Sequence, residues 1–366
     1  MDKTISVKEL QDRLDNNENI LILDVRPTDQ RDEWKIADSV HVDAYKQLNA
    51  GDETALDMLE VPKGSTVVTV CGAGRTSLLA SNLLQLKGIN AYSLQGGMKA
   101  WNYAWNTAEI AFANSKVIQL RRVAKGVLSY IVGSAGEAVV IDAALDPAVY
   151  QTIAKKNGWV IKYVMDTHIH ADYVSRTREL AEASGAKHLL IESAKVDFDF
   201  VPVHDRGTIS FGNSCIEFIH SPGHTWESTT FKLDNSAIFT GDTLFVDGIG
   251  RPDLKADKNE GIERAKALYK SLKNLISLQS EILVFPAHTS NSVSFDNRPI
   301  TDTLTNIKSN VKVIDLSESD FIQYTEARIP PTPPNYQIIA GINKKGSYEG
   351  QGLAELEAGG NHCAIA

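Results

Sequence analysis

Cys71 stands directly after an apolar run and ahead of a helical pattern, in Cys71-Gly72-Ala73-Gly74-Arg75-Thr76-Ser77. A loop of this kind can turn backbone N–H groups, those near Gly72 and Gly74 included, toward the sulfur. The helix N-terminus that follows adds partial positive charge. Both effects favour the anionic, reactive form of sulfur, and the same cradle suits an anionic persulfide or thiosulfate. A structural cysteine behind a tight turn is the plainer reading. Two glycines and Arg75 within five residues weigh toward reactivity.

A second set of residues is spread over four segments: His168-Ile169-His170-Ala171-Asp172-Tyr173, Pro222-Gly223-His224-Thr225, Gly241-Asp242-Thr243-Leu244 and Pro286-Ala287-His288-Thr289. One histidine alone is usually a satisfied surface or core residue. Here each segment follows an apolar, strand-like run. Four strand-end loops that supply imidazoles and carboxylates to one sheet edge are most economically explained by a metal ion.

The elements that must position these groups have two grammars. Residues 20–23 and 66–70 read as short buried strands, and 77–87 as a helix whose Leu79, Leu83 and Leu86 share a face, closed by Gly88. Strand–helix alternation predicts a small α/β parallel sheet flanked by helices. Residues 101–106 read as the exit from this unit, giving domains at 1–108 and 109–366. Beyond it, 127–132 and 138–141 read as a strand pair around a glycine turn. Residues 160–164, 216–219, 237–239 and 282–285 read as strands that run into the histidine and aspartate loops. An amphipathic helix over 262–275 places Ala265, Leu268 and Leu272 in a core stripe. Pro330, Pro331, Pro333 and Pro334 predict an irregular crossing, followed by a strand-like Tyr336-Gln337-Ile338-Ile339 and a glycine-rich tail.

The chain has 366 residues, 43% hydrophobic and 23% charged, enough for two or three compact domains with real cores. Lys+Arg number 37 against Asp+Glu 46, a net charge of −9 that disfavours nucleic acid or an anionic membrane as the principal partner. No apolar run reaches membrane-span length, and Met1-Asp2-Lys3-Thr4 precedes no signal-like core. Three cysteines (Cys71, Cys215 and Cys363) form no disulfide framework, which points to a reducing, cytoplasmic setting. Cys215 reads as a small core residue. Cys363, the fourth residue from the end, reads as an incidental or docked tail residue or as a sulfur relay; its formal prenylation box is discounted as a chance match.

Over most of the first 105 residues the chain resembles a rhodanese (sulfurtransferase) domain. The match lies in Leu23-Asp24-Val25-Arg26, the Cys71 loop and the closing Leu94-Gln95-Gly96-Gly97-Met98-Lys99-Ala100-Trp101. The resemblance implies that Cys71 carries sulfane sulfur as a persulfide, with Asp24 and Arg26 architectural. Two departures stand out: the family places its loop arginine one position after Arg75, and its Gly-His-Ile-Pro-Gly-Ala stretch is here Trp34-Lys35-Ile36-Ala37-Asp38-Ser39.

From about residue 115 to 320 the motifs resemble, in order and spacing, the metallo-β-lactamase superfamily, which implies a four-layer αββα sandwich. Dinuclear members, the glyoxalase II hydrolases among them, have a second-site histidine where this chain has Tyr173. The resemblance therefore implies one strong site, built from His168, His224 and Asp242. Two histidines and a carboxylate with open positions are the set used by non-haem Fe(II) oxygenases. Together with Gly248-Ile249-Gly250-Arg251-Pro252-Asp253, that set resembles the persulfide dioxygenase branch. By that resemblance the chain holds one Fe(II), with zinc the alternative, and Arg251 binds the anionic persulfide. His170, Asp172 and His288, with Tyr173, then orient ligands or flank a second metal; Asp253 is as readily a turn residue.

The implied reaction is oxidation of a low-molecular-weight persulfide, such as that of glutathione, by O2 and water to thiol and sulfite, with sulfite or thiosulfate handled at Cys71. Family resemblance also implies a homo-oligomer. The main alternative is a zinc-dependent glyoxalase II-like thioester hydrolase with an accessory rhodanese unit. A non-catalytic persulfide sensor or sulfur-carrier module is the third class.

Overall fold

The computed structural model describes residues 3–254, 256–332 and 334–365. Met1, Asp2, Pro333 of the proline run and Ala366 of the C-terminal Cys-Ala-Ile-Ala box lie outside the described residues. Among those described, no helix is long and apolar enough to cross a membrane.

The first unit is a five-stranded, all-parallel sheet in the order Thr4–Ile5, Ala91–Leu94, Thr66–Val70, Ile20–Asp24, Val40–His41. Its central strands are apolar on both faces because helices cover both. Val68 and Val70 face Trp101 and Met98, while Val67 and Cys71 face Ala80, Leu83 and Leu84. The helix after the Cys71 loop runs Arg75–Leu86. The leucine stripe expected for it is wrong in two of three positions: Leu79 is 44% and Leu86 84% exposed, and only Leu83 is buried. Small residues, Ser77, Ala80 and Ser81, make up half of the buried face and let the helix lie close on the sheet, which turns Leu79 and Leu86 outward.

The second unit stacks two mixed sheets. The seven-stranded sheet runs Val201–Val203, Lys187–Ile191, Val160–Met165, Glu137–Ile141, Val127–Ser134, Lys116–Arg122, Trp105–Ala111. The last of these strands crosses residue 108. The six-stranded sheet runs Thr208–Phe211, Ser214–His220, Thr229–Leu233, Ala237–Gly241, Leu283–Pro286, Asp302–Thr303. Alternation along the strands builds the layers. Tyr130, Val132, Ile141 and Met165 meet Phe218, Phe231, Phe239 and Phe285 between the sheets. Ile131, Val140 and Val164 face the helices Pro147–Lys156 and Thr177–Ser184. Ile219, Ile238 and Val284 face Leu268, Leu272 and Leu275 of Lys258–Leu275. The result is the αββα sandwich that the resemblance implied.

Two further expectations fail. Residues 336–339 are not strand-like but open the helix Tyr336–Lys345. A four-residue apolar window cannot separate the two periods; over ten residues the spacing is helical, with Ile339 and Ile342 packed on Val174. Cys215 is half-buried rather than core, because it shares the outward face of its strand with Glu217 while Ser214, Ile216 and Phe218 point inward.

Candidate metal centre and the Cys71 loop

Cys71 lies at the carboxyl end of Thr66–Val70, buried in the turn that leads into Arg75–Leu86. Its sulfur accepts the Gly74 N–H at 3.2 Å and sits 3.3 Å from Ser77 Oγ. Gly74 adopts φ +88°, a conformation that glycine takes without strain and that aims its N–H inward. The turn Gly96-Gly97 presses on the loop: a Cβ on Gly97 would lie 2.2 Å from the Cys71 carbonyl oxygen. The Met98 and Lys99 N–H groups donate to the carbonyls of Cys71 and Gly72, so Gly72 is anchored through its carbonyl. Arg75 is exposed as the first helical residue, at the rim of the loop. Asp24 and Arg26 form a buried ion pair at 2.7 Å, and Arg26 also donates to the Gln30 and Trp34 carbonyls.

The histidine and aspartate segments meet at one end of the sandwich. His168, His170 and Asp172 follow Val160–Met165, His224 follows Ser214–His220, Asp242 follows Ala237–Gly241, and His288 follows Leu283–Pro286. One ligand atom each of His168, His224 and Asp242 falls within 4.8 Å of the others, all buried. His168 Nε2 and His224 Nε2 lie 3.8 and 3.5 Å from Asp242 Oδ2. Gly241 permits this approach, since a Cβ there would lie 2.5 Å from Thr167 Oγ1.

Hydrogen bonding selects the tautomers. His224 Nδ1 donates to the Arg251 carbonyl at 2.9 Å. Thr167 Oγ1 uses its one hydrogen on the Asp142 carboxylate, so at 2.9 Å from His168 Nδ1 it acts as acceptor. Both Nε2 lone pairs are therefore left for a ligand. Burial holds both imidazoles below their ordinary value, in the neutral form that binds metals. Asp242 Oδ2 is buried without a hydrogen-bond partner. Burial alone would raise its carboxyl, but His288, His168 and His224 hold it well below the usual carboxylate range. Neutral imidazoles, an ionised carboxylate and an unsatisfied oxygen at their centre fit a cation.

The other expected residues divide. His170 turns away from this group, donating from Nε2 to Asp142 at 3.0 Å, with the Tyr173 hydroxyl 2.9 Å off. Tyr173 also donates to the Asp142 carbonyl, and so braces His170. His288 Nδ1 donates to Asp242 Oδ1 at 2.5 Å while Nε2 faces Asp172 at 2.8 Å. Burial opposes the imidazolium, but the two carboxylates raise His288 to about 10. Arg251 does not serve as the expected anion holder. Its five N–H donors are engaged by both oxygens of Asp253 and by the carbonyls of Pro330, Pro331 and His362. Asp253 is thus its ion-pair partner and not a mere turn residue.

Sequence reasoning missed several groups. Asp142 follows the strand Glu137–Ile141, and the strand-end rule that found Asp242 would have found it. Thr167 precedes the first histidine. Lys125 and Glu357 are buried near the site, the Lys125 ammonium donating to the Glu357 carbonyl at 2.9 Å; no local pattern marks either.

A rhodanese-like domain model matches residues 6–104, and a metallo-beta-lactamase superfamily model matches residues 122–288. The chain is similar to mitochondrial persulfide dioxygenase of Mus musculus, 31% identical over 229 residues, covering 59% of this chain and 83% of that protein. The Homo sapiens protein of that name is 33% identical over 168 residues, 44% of this chain and 63% of that protein, so the match spans just under two thirds of the human relative. A hydroxyacylglutathione hydrolase of Methylococcus capsulatus is 33% identical over 155 residues, covering 40% of this chain and 56% of that protein. Among solved structures, a metallo-beta-lactamase from Staphylococcus aureus is 30% identical with a TM-score of 0.55, covering 62% of this chain and 71% of that one.

Proposed function

The chain belongs to the metallo-beta-lactamase superfamily and carries a rhodanese-like domain ahead of that fold, and from this premise we propose that it is an Fe(II)-dependent persulfide dioxygenase joined to a sulfurtransferase. The observation that carries the reading is the three-ligand set of His168, His224 and Asp242, with both Nε2 atoms free and His170 and Tyr173 turned away. In the balanced reaction RSSH, O2 and H2O give RSH and H2SO3. Fe(II) held by this set supplies open positions and a redox couple suited to O2 chemistry.

The chain's own residues do the rest. Thr167 and the Arg251 carbonyl fix the two imidazoles, and Asp142 fixes Thr167. His288 holds a proton at Nδ1 against Asp242. A narrow cleft of about 80 Å³, lined by residues that include Ile169, Ala171, Thr225, Arg264 and Lys344, reaches His224. Of the two cations in this lining, Arg264 is tied to Glu260 and to the Leu254 carbonyl, which leaves Lys344 to meet an anionic persulfide of glutathione or a similar small thiol. At Cys71 a bound persulfide gives its outer sulfur to sulfite, forming thiosulfate, and the Cys71 sulfur keeps the electron pair of the broken S–S bond.

The similarity to a hydroxyacylglutathione hydrolase favours a second reading, a zinc-dependent thioester hydrolase. O2 consumption with glutathione persulfide separates the two. Iron-loaded protein is expected to take up O2 and release sulfite, and zinc-loaded protein to do neither. No uptake, with thioester cleavage by the zinc form, overturns the dioxygenase reading.

A further inference from the structure

Among the described residues, the Cys71 sulfur has two hydrogen-bond partners, the Gly74 N–H at 3.2 Å and Ser77 Oγ at 3.3 Å, and neither carries a charge. Arg75, the nearest cation in the sequence, stands exposed at the rim. Ser77 Oγ in turn lies 2.9 Å from Ser93 Oγ, on the strand Ala91–Leu94 that pairs with Thr66–Val70. Ser77 is 0% and Ser93 1% exposed. Thr69 holds the Ser77 backbone, its hydroxyl donating to the Ser77 carbonyl at 2.7 Å. A row of three buried side chains, Ser93, Ser77 and Cys71, thus ends on the reactive sulfur.

Counting hydrogens gives this row a direction. A serine hydroxyl has one hydrogen to donate. Ser93 Oγ has Ser77 as its one partner among the described residues. If Ser77 gave its hydrogen to Ser93, the Ser93 hydrogen would be buried without an acceptor, and buried polar groups are rarely left so. In the opposite sense every hydrogen is used: Ser93 donates to Ser77, and Ser77 donates to the Cys71 sulfur. We propose that Ser93 is a positioning residue for sulfur transfer, which acts through Ser77 to aim a hydroxyl donor at Cys71.

The inference rests on the sulfurtransferase reading of Cys71. When the persulfide is discharged, an acceptor such as sulfite attacks the outer sulfur, the S–S bond breaks, and the Cys71 sulfur keeps the electron pair. Negative charge therefore collects on the atom that Gly74 and Ser77 face. A donor already aimed there is stronger in the transition state than in the resting persulfide. Charging by thiosulfate runs the other way: the Cys71 sulfur attacks the outer sulfur, sulfite leaves with the electron pair, and charge departs from the Cys71 sulfur. Loss of the Ser77 donor should then slow discharge and leave charging nearly untouched, a split that a loosened fold would not produce.

Single-turnover measurements on the full chain test it. The protein is loaded with thiosulfate and mixed with cyanide, and the Cys71 persulfide is followed by mass spectrometry. Ser93→Ala is expected to slow discharge about tenfold, the scale of one hydrogen bond to a charged group, while loading stays within about twofold of wild type. Ser93→Thr, which keeps the hydroxyl, is expected to restore discharge. Ser77→Ala is expected to show the full deficit by itself, and adding Ser93→Ala to deepen it no further, because Ser93 acts through Ser77. Discharge of Ser93→Ala at the wild-type rate overturns the proposal, and so do deficits that multiply in the double variant. Should Ser93→Ala not fold, discharge of Ser77→Ala at the wild-type rate overturns it equally. A wild-type chain that loads no persulfide overturns the sulfurtransferase reading itself.

Discussion

At His168 and His224 the side chain alone decides little, because an imidazole offers either nitrogen. Each ring's Nδ1 is held, at Thr167 and at the Arg251 carbonyl, and this presents both Nε2 atoms to one point. Replacing His224 with alanine is expected to abolish tight binding at the three-residue site while sulfur transfer at Cys71 continues. Elemental analysis of the purified variant checks the first expectation, and a thiosulfate:cyanide assay the second. A full iron complement in that variant would remove His224 from the ligand set. Conversely, Cys71→Ser is expected to eliminate sulfur transfer and keep most O2 uptake, since the sulfur is buried in its own loop within a different sheet unit. Loss of both activities in a folded variant would contradict two separable sites.

Elements position these residues through which of their faces is buried. The helix Arg75–Leu86 seats its small face on the sheet, so two leucines of similar composition and spacing differ in consequence. Leu83→Ala should cost about 2–5 kcal/mol, as core truncations do, whereas Leu86→Ala should stay within roughly 0.5 kcal/mol. Urea unfolding of the two variants measures the contrast, and equal effects would mean that the helix is rotated from the described orientation. The segment Ala364–Ile365 shows the same logic at smaller scale. Two residues of pairing, backed by the buried Ile365 and the Arg251 clamp, place Cys363 beside Asp172 and His288.

Across the whole molecule, Glu357 ties the units together. Its carboxylate pairs with Arg122 at 2.7 Å and accepts the Val174 N–H, while its carbonyl accepts from Asn102 and Lys125. Val123, Ala124 and Val293 of the sandwich pack with Trp101 and Ala104 in one cluster. Both members of the Glu357–Arg122 pair are buried, so removing one charge strands the other. Glu357→Gln is expected to destabilise the chain by about 3–5 kcal/mol and to separate the unfolding of the two units. Calorimetry would register this as a lower first transition; an unchanged single transition would show that the pair does not couple the units.

What the amino-acid sequence determined by itself was local. Strand ends could be read because buried strands are short apolar runs and the polar residues that follow them must leave the sheet. His168, His224, Asp242 and Cys71 were therefore legible as candidates before any fold was known. Their resemblance to two families then supplied the architecture. The tertiary structure alone decided what each group faces. Arg251 reads as a free cation, yet three backbone carbonyls and Asp253 engage all its donors. His170 shares a motif with His168, yet it turns to Asp142. Glu357 lies 183 residues along the chain from Val174 and 235 from Arg122, and Cys363 lies 75 from His288; no periodicity encodes such a meeting. Hydrogen-bond donors are satisfied by whatever packing brings near, and packing is long-range.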